Sequence, residues 1–184
     1  MSLGISIHND TAFLELAYKE AQLGLEEGGI PIGAVLVIDG KVVAKGHNKR
    51  IQENSMIKHG ETACLENTER KISPADMQRA TLYTTLSPCY MCAGTILLNK
   101  IPRVVVGENK TFEQSEWLLK HEKVEVVVLN DKKCIAMMLD FIIKNPKLWG
   151  EDIGLTPQQV LDKYKNLFPD LSTPPINQTP RSRL

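Results

Sequence analysis

Three side chains of this 184-residue chain can bind a borderline metal ion together: His59, Cys89 and Cys92. They stand in two short segments, His59-Gly60-Glu61 and Pro88-Cys89-Tyr90-Met91-Cys92. One imidazole and two thiolates supply three ligands for zinc and leave a fourth tetrahedral position open, the arrangement of a catalytic site and not a structural one. Water at such a position loses a proton near neutral pH and becomes a nucleophile. Glu61, two residues past the histidine, can move protons without ligating the metal. A structural zinc knot would need a fourth His or Cys, and Cys64 is the only nearby candidate. A redox Cys-x-x-Cys pair would leave His59 and Glu61 without a role.

Such groups need rigid elements to hold them. Residues 11–27 pattern as a helix, with Asn9 or Asp10 near its start and Gly28-Gly29 at its end. Strands at 32–38 and 41–47 meet at Asp39-Gly40, a two-residue hairpin signal, and are therefore antiparallel. A polar loop leads to a helix over 59–70 with His59 and Glu61 in its first turn. Strand 80–86 runs into Ser87-Pro88, an N-cap followed by proline. The helix over 89–99 then presents Cys89 and Cys92 on one face, at an N-terminus whose free N–H groups favour anions. Strand 103–107, helix 113–121, strand 124–129 and helix 131–144 alternate, which favours parallel strands with helices on both faces. Pro146, Gly150 and Gly154 interrupt the next segment, and Thr156-Pro157 opens a short helix through Phe168. Three parts are expected: a 1–154 body, a 155–168 helical extension, and a proline-rich 169–184 tail that is disordered.

Bulk composition narrows the function classes. The 22 basic and 22 acidic residues cancel, so a polyanionic partner is not favoured. No apolar run is long enough to span a membrane, and the first dozen residues, with His8 and Asp10, do not read as a secretory leader. Four cysteines in a reducing compartment fit a metal site plus two inert core residues, Cys64 and Cys134, better than two disulfides. Cytoplasm is the first expectation. Ser182-Arg183-Leu184 resembles a peroxisomal address and gives the second. Asn177-Gln178-Thr179 fits a glycosylation acceptor but has no leader to accompany it.

From about residue 11 to Gly154 the chain resembles the zinc-dependent cytidine deaminase superfamily, most closely its fungal-type members that deaminate free cytosine. The likeness is carried by Gly28-Gly29-Ile30-Pro31-Ile32-Gly33, Gly46-His47-Asn48, His59-Gly60-Glu61 and Leu82 to Cys89, extended by Gly107-Glu108-Asn109 and Trp149 to Gly154. It implies a three-layer α/β/α sandwich around a five-stranded mixed sheet, assembled as a homodimer with one catalytic zinc per subunit. His59, Cys89 and Cys92 would hold that zinc, and Glu61 would be the acid and base. Asn48 and the Gly60 N–H would read the pyrimidine edge, and the Ser87 carbonyl would face the leaving amine. Phe112 and Trp149 would wall the ring, Asp152 would stand at the pocket mouth, and Ile32 and Leu86 would line its floor. From the residues alone, Asn48 also fits a strand end, Phe112 and Trp149 ordinary core, and Asp152 a surface turn. Two positions depart from the family pattern: Tyr90, where an acidic residue is usual, and Gly150, where an aromatic is. Isocytosine, a modified pyrimidine or guanine therefore stay open as substrates. Enzymes editing adenosine in transfer RNA usually carry alanine at the Gly60 position and a basic surface. A non-catalytic zinc module would leave Glu61 idle.

Overall fold

The computed structural model describes residues 7–69 and 71–168. The expected disordered tail, Ser182-Arg183-Leu184 and Asn177-Gln178-Thr179 lie outside the described residues. The chain divides into two compact units, Met1–Phe141 and Ile142–Leu184.

Strand-forming runs build a five-stranded sheet in the first unit, in the order β2-β1-β3-β4-β5. These are β1 (Gly33–Ile38), β2 (Lys41–His47), β3 (Ala80–Leu86), β4 (Arg103–Glu108) and β5 (Glu125–Val128). The Asp39-Gly40 turn makes β1 and β2 antiparallel, and β1 also runs antiparallel to β3. From β3 onward each connection carries a helix, and β3, β4 and β5 are parallel. The result is the mixed sheet that the family resemblance implies.

Side-chain alternation along the strands separates two cores. Leu36, Leu82, Val104 and Val106 pack with Cys64 of α2 (Gly60–Glu66), Ala93 and Ile96 of α4 (Tyr90–Leu98) and Leu119 of α5 (Glu116–His121). Val35, Val37, Tyr83 and Val105 point the other way, toward Leu14 and Ala17 of α1 (Ile7–Glu26) and Cys134 of α6 (Lys132–Lys144). Each such aliphatic side chain stabilises the sandwich by roughly 1.5–3 kcal/mol before chain entropy is counted. Cys64 and Cys134 are buried, free thiols, as their helical patterns suggest. No helix among the described residues is long and apolar enough to cross a membrane.

Helix boundaries differ from the sequence expectation by local capping. The helix after the 48–57 loop begins at Gly60 with His59 as N-cap and closes at Glu66. A short α3 (Pro74–Met77), which periodicity misses, is started by Ser73, whose hydroxyl accepts from the Asp76 N–H at 3.1 Å.

The second unit holds a larger difference. Residues expected to be interrupted form α7 (Pro146–Ile153), followed by α8 (Pro157–Leu167). Pro146 sits in the first turn, where its missing N–H costs nothing, and Gly154 ends the helix with φ 73°. Gly150 lies inside α7, where a Cβ would stand 2.3 Å from the Leu155 carbonyl oxygen, so any larger residue would push away the returning chain. That return brings Tyr164 of α8 to Trp149, whose indole N–H donates to the tyrosine hydroxyl at 2.9 Å.

One buried ion pair ties α1 to the parallel strands. Arg103 of β4 donates from both guanidinium tips to Asp10, at 2.9 and 2.8 Å, and Tyr83 of β3 donates to the same carboxylate at 2.9 Å. Burial raises the Asp10 pKa, but the bonds from Arg103 and Tyr83 outweigh it and leave the carboxyl below its ordinary value. The folded state thus favours ionised Asp10 more than the unfolded chain does. Its contribution is full above about pH 4 and is lost as pH falls through the depressed value. Asp10→Asn, which removes the buried charge paired with Arg103 and leaves it the more exposed Glu125 at 3.2 Å, is expected to lower unfolding free energy by about 3 kcal/mol. Urea denaturation at neutral pH checks this, and the difference from wild type should shrink in acid.

Candidate active site

Both metal-binding segments start helices. His59 is the N-cap of α2 and Cys89 the N-cap of α4, each in extended conformation. Thr62 steadies the first of them by accepting from the His59 N–H at 2.9 Å. Because β3 and β4 are parallel, with Leu86 paired to Glu108, Ser87-Pro88-Cys89 leaves the sheet at the carboxyl ends of the strands. In open α/β sheets that edge is where ligand sites form.

His59 Nδ1 lies 3.5 Å from Cys89 Sγ and 3.7 Å from Cys92 Sγ. All three ligand atoms fall within 4.8 Å of one another. Zinc–nitrogen and zinc–sulfur bonds of about 2.0 and 2.3 Å at a tetrahedral angle place N and S about 3.5 Å apart. The three residues therefore fit one zinc ion as they stand.

The proton inventory of the cluster follows from its crowding. Cys89 is drawn down to about 4 by its hydrogen bond with Cys92, against the cost of burial and with help from His59. Cys92 is pushed up by the same bond and by its own burial. Glu61 is almost fully buried. Burial first, and the Cys89 thiolate second, raise its pKa. A bound dication would offset the thiolate charge and draw Glu61 back toward the carboxylate. Its oxygens accept from Thr84 Oγ1 at 3.2 Å and from the Cys92 thiol at 3.3 Å. Glu61 thus borders the metal-binding cluster without being one of its three grouped ligands.

Asn48, Gly60 and Ile32 converge beside this cluster. Asn48 is fully buried; its N–H donates to the Ile32 carbonyl at 2.8 Å and its Oδ1 accepts from Arg50 N–H at 3.0 Å. Its side-chain Nδ2 has no hydrogen-bond partner among the described residues. Leaving a buried amide donor unpaired costs about 1–3 kcal/mol, a cost that a ligand acceptor would remove. A Cβ on Gly60 would stand 2.8 Å from the Ile32 carbonyl oxygen, so alanine would displace the backbone that seats Asn48.

Leu86 and Ser87 are buried at the end of β3, and Phe112 is half-buried between β4 and α5. Tyr90 is half-exposed at the start of α4, with its N–H held by Gln114 Oε1 at 3.0 Å. Trp149 and Asp152 belong to the second unit, where Trp149 is buried and bonded to Tyr164. Sequence reading missed three polar residues of the first unit: Thr84, Ser115 and Glu116. Thr84 shares the alternation of Leu82 and Leu86, which places it on the α2 side of the sheet. Ser115 and Glu116 carry no spacing signal at all.

The fold and the His-Cys-Cys centre define a zinc-dependent deaminase, and the chain belongs to that family: its sequence profile, described as the cytidine and deoxycytidylate deaminase zinc-binding region, matches residues 7–108. The chain is an enzyme in which zinc-activated water displaces an amine. It is 48% identical over 147 residues to the cytosine deaminase of Candida albicans, a match spanning 79% of this chain and 97% of that one. The tRNA-specific adenosine deaminase of Bacillus subtilis is 41% identical over 98 residues, covering 53% and 61% of the two chains. Among solved structures, a transfer-RNA deaminase of wobble-position A-to-I editing superposes with a TM-score of 0.55 at 31% identity, over 64% of this chain and 97% of that chain.

Two measurements check this geometry. In metal-free protein, iodoacetamide should alkylate Cys89 first, because Cys64, Cys92 and Cys134 are buried; stoichiometric zinc should abolish the labelling, read by peptide mass spectrometry. Gly60→Ala should keep its zinc yet lose about 10–100-fold in kcat/KM, the cost of misplacing a substrate-orienting group.

Proposed function

We propose that the substrate is free cytosine, hydrolysed to uracil and ammonia. The observation that carries this reading is the buried Asn48 Nδ2, without a partner among the described residues, beside Gly60 at the start of α2. The long match to a cytosine deaminase supports it. Zinc, when bound, supplies the positive charge that makes water acidic enough to attack near neutral pH. Asn48 Nδ2 and the Gly60 N–H donate to the polar edge of the base, and the Ser87 carbonyl accepts from its exocyclic amine. Glu61 takes a proton from the attacking water and delivers it to the ring nitrogen beside C4. It then carries the second proton to the departing amine. Water oxygen replaces nitrogen at C4, and ammonia leaves.

Ile32, Leu86 and Phe112 enclose the ring in this reading. Trp149 as a wall and Asp152 at the mouth rest on the family resemblance. The active form is a homodimer; exposed Tyr90 and Leu98 on α4 and Trp117 on α5 offer an apolar face for it. Neither membrane nor nucleic acid is a proposed partner. The protein's proposed place of action is the cytoplasm.

Ammonia release from zinc-loaded protein tests the substrate, with cytosine, isocytosine, guanine, cytidine and an adenosine-containing tRNA stem-loop offered in parallel. Cytosine should be turned over, and Glu61→Gln should lower kcat by about 10²–10⁴-fold while retaining zinc. Turnover of guanine or of the stem-loop alone would overturn the cytosine assignment and keep the chemistry.

A further inference from the structure

The turn that carries Cys89 is gripped from outside by one segment, residues 108–116. Each residue from Ser87 to Tyr90 is bonded to it. The Ser87 N–H donates to the Glu108 carbonyl at 3.0 Å, and the Ser87 hydroxyl donates to Glu116 Oε1 at 3.0 Å. The Ser115 hydroxyl reaches the carbonyl oxygens of Pro88 at 2.6 Å and Cys89 at 3.3 Å. Gln114 Oε1 takes the Tyr90 N–H. Ser115 is fully buried and Glu116 is 4% exposed. Glu116 also accepts from Asn109 Nδ2 at 3.1 Å and Lys120 Nζ at 3.3 Å. The segment is itself braced by buried Glu108, whose carboxylate accepts from the N–H groups of Lys110 and Thr111 and from the Thr111 hydroxyl.

A buried carboxylate and a buried hydroxyl are costly unless fully bonded, and these two spend their bonds on the backbone and side chains around one metal ligand. Groups behind a metal ligand fix its orientation and thereby its affinity. Ser115 and Glu116 lie beyond the matched family region, which ends at residue 108.

We propose that Ser115 and Glu116 are positioning residues of the zinc centre. Ser115 holds the Pro88 and Cys89 carbonyls, which sets the direction of the Cys89 sulfur. Glu116 holds Ser87, which keeps its peptide in register with that ligand. Neither residue touches metal or substrate. Their role rests on the assignment of His59, Cys89 and Cys92 as the zinc ligands.

Zinc affinity measured by competition with a chromophoric chelator tests it, alongside cobalt-substitution spectra and urea unfolding of the metal-free forms. Ser115→Ala and Glu116→Ala should each weaken zinc binding about 10–100-fold and alter the cobalt–thiolate absorption. Glu116→Gln, which keeps an acceptor oxygen for Ser87, should stay within about threefold of wild type. A merely structural role would lower the metal-free unfolding midpoint and leave affinity and cobalt spectrum unchanged; that result overturns the proposal. Should Glu116→Ala fail to fold, Ser115→Ala decides by the same two outcomes. Zinc affinity is read without substrate, so a protein that binds zinc and ignores cytosine sinks the cytosine assignment alone.

Discussion

Everything in the first unit serves one geometric demand: two helix N-termini must meet so closely that an imidazole and two sulfurs share a metal-sized space. His59 and Cys89 sit 30 residues apart in sequence, as the N-caps of α2 and α4. No local interaction brings them together. Their helices are carried into place by burial of Cys64, Ala93 and Ile96 against the same face of the sheet. The α4 N-terminus follows β3, whose pairing with β4 fixes where the chain turns. Packing supplies the position, and the extended N-caps aim the side chains.

Charge and burial explain why the site is tightly braced. Three ligands, a buried glutamate and a buried asparagine crowd one end of the sheet, and in that medium each polar group needs a partner. The protein satisfies Glu61 through Thr84 and Cys92, and the Cys89 turn through Ser115 and Glu116. Asn48 Nδ2 is left over. That buried donor, beside Gly60 at the start of α2, points to where a polar substrate edge docks.

The departures from family pattern take on different physical meanings once folded. Tyr90 is half-exposed on the surface of α4, with its backbone tied to Gln114. Gly150 makes room for the Leu155 carbonyl and so allows α8 to follow closely on α7. The extension from residue 155 is thereby built into the second unit through the Trp149–Tyr164 bond.

Much of the chemistry was legible without coordinates. His59, Glu61, Cys89 and Cys92 declare themselves by residue type and spacing, because metal ligation and helix capping are local demands. The strands and most helices follow from hydrophobic period, and Asp39-Gly40 dictates its own turn. Local reading failed at α7, where proline and glycine act as caps and spacers in a helix they were expected to break. It also could not find Thr84, Ser115 and Glu116, whose types are ordinary and whose partners lie 23 to 29 residues away. Sequence alone determined which atoms could bind zinc and move protons. Only the tertiary structure decided which polar groups support them and which donor is left vacant, because hydrogen-bond satisfaction depends on distances that chain order does not encode.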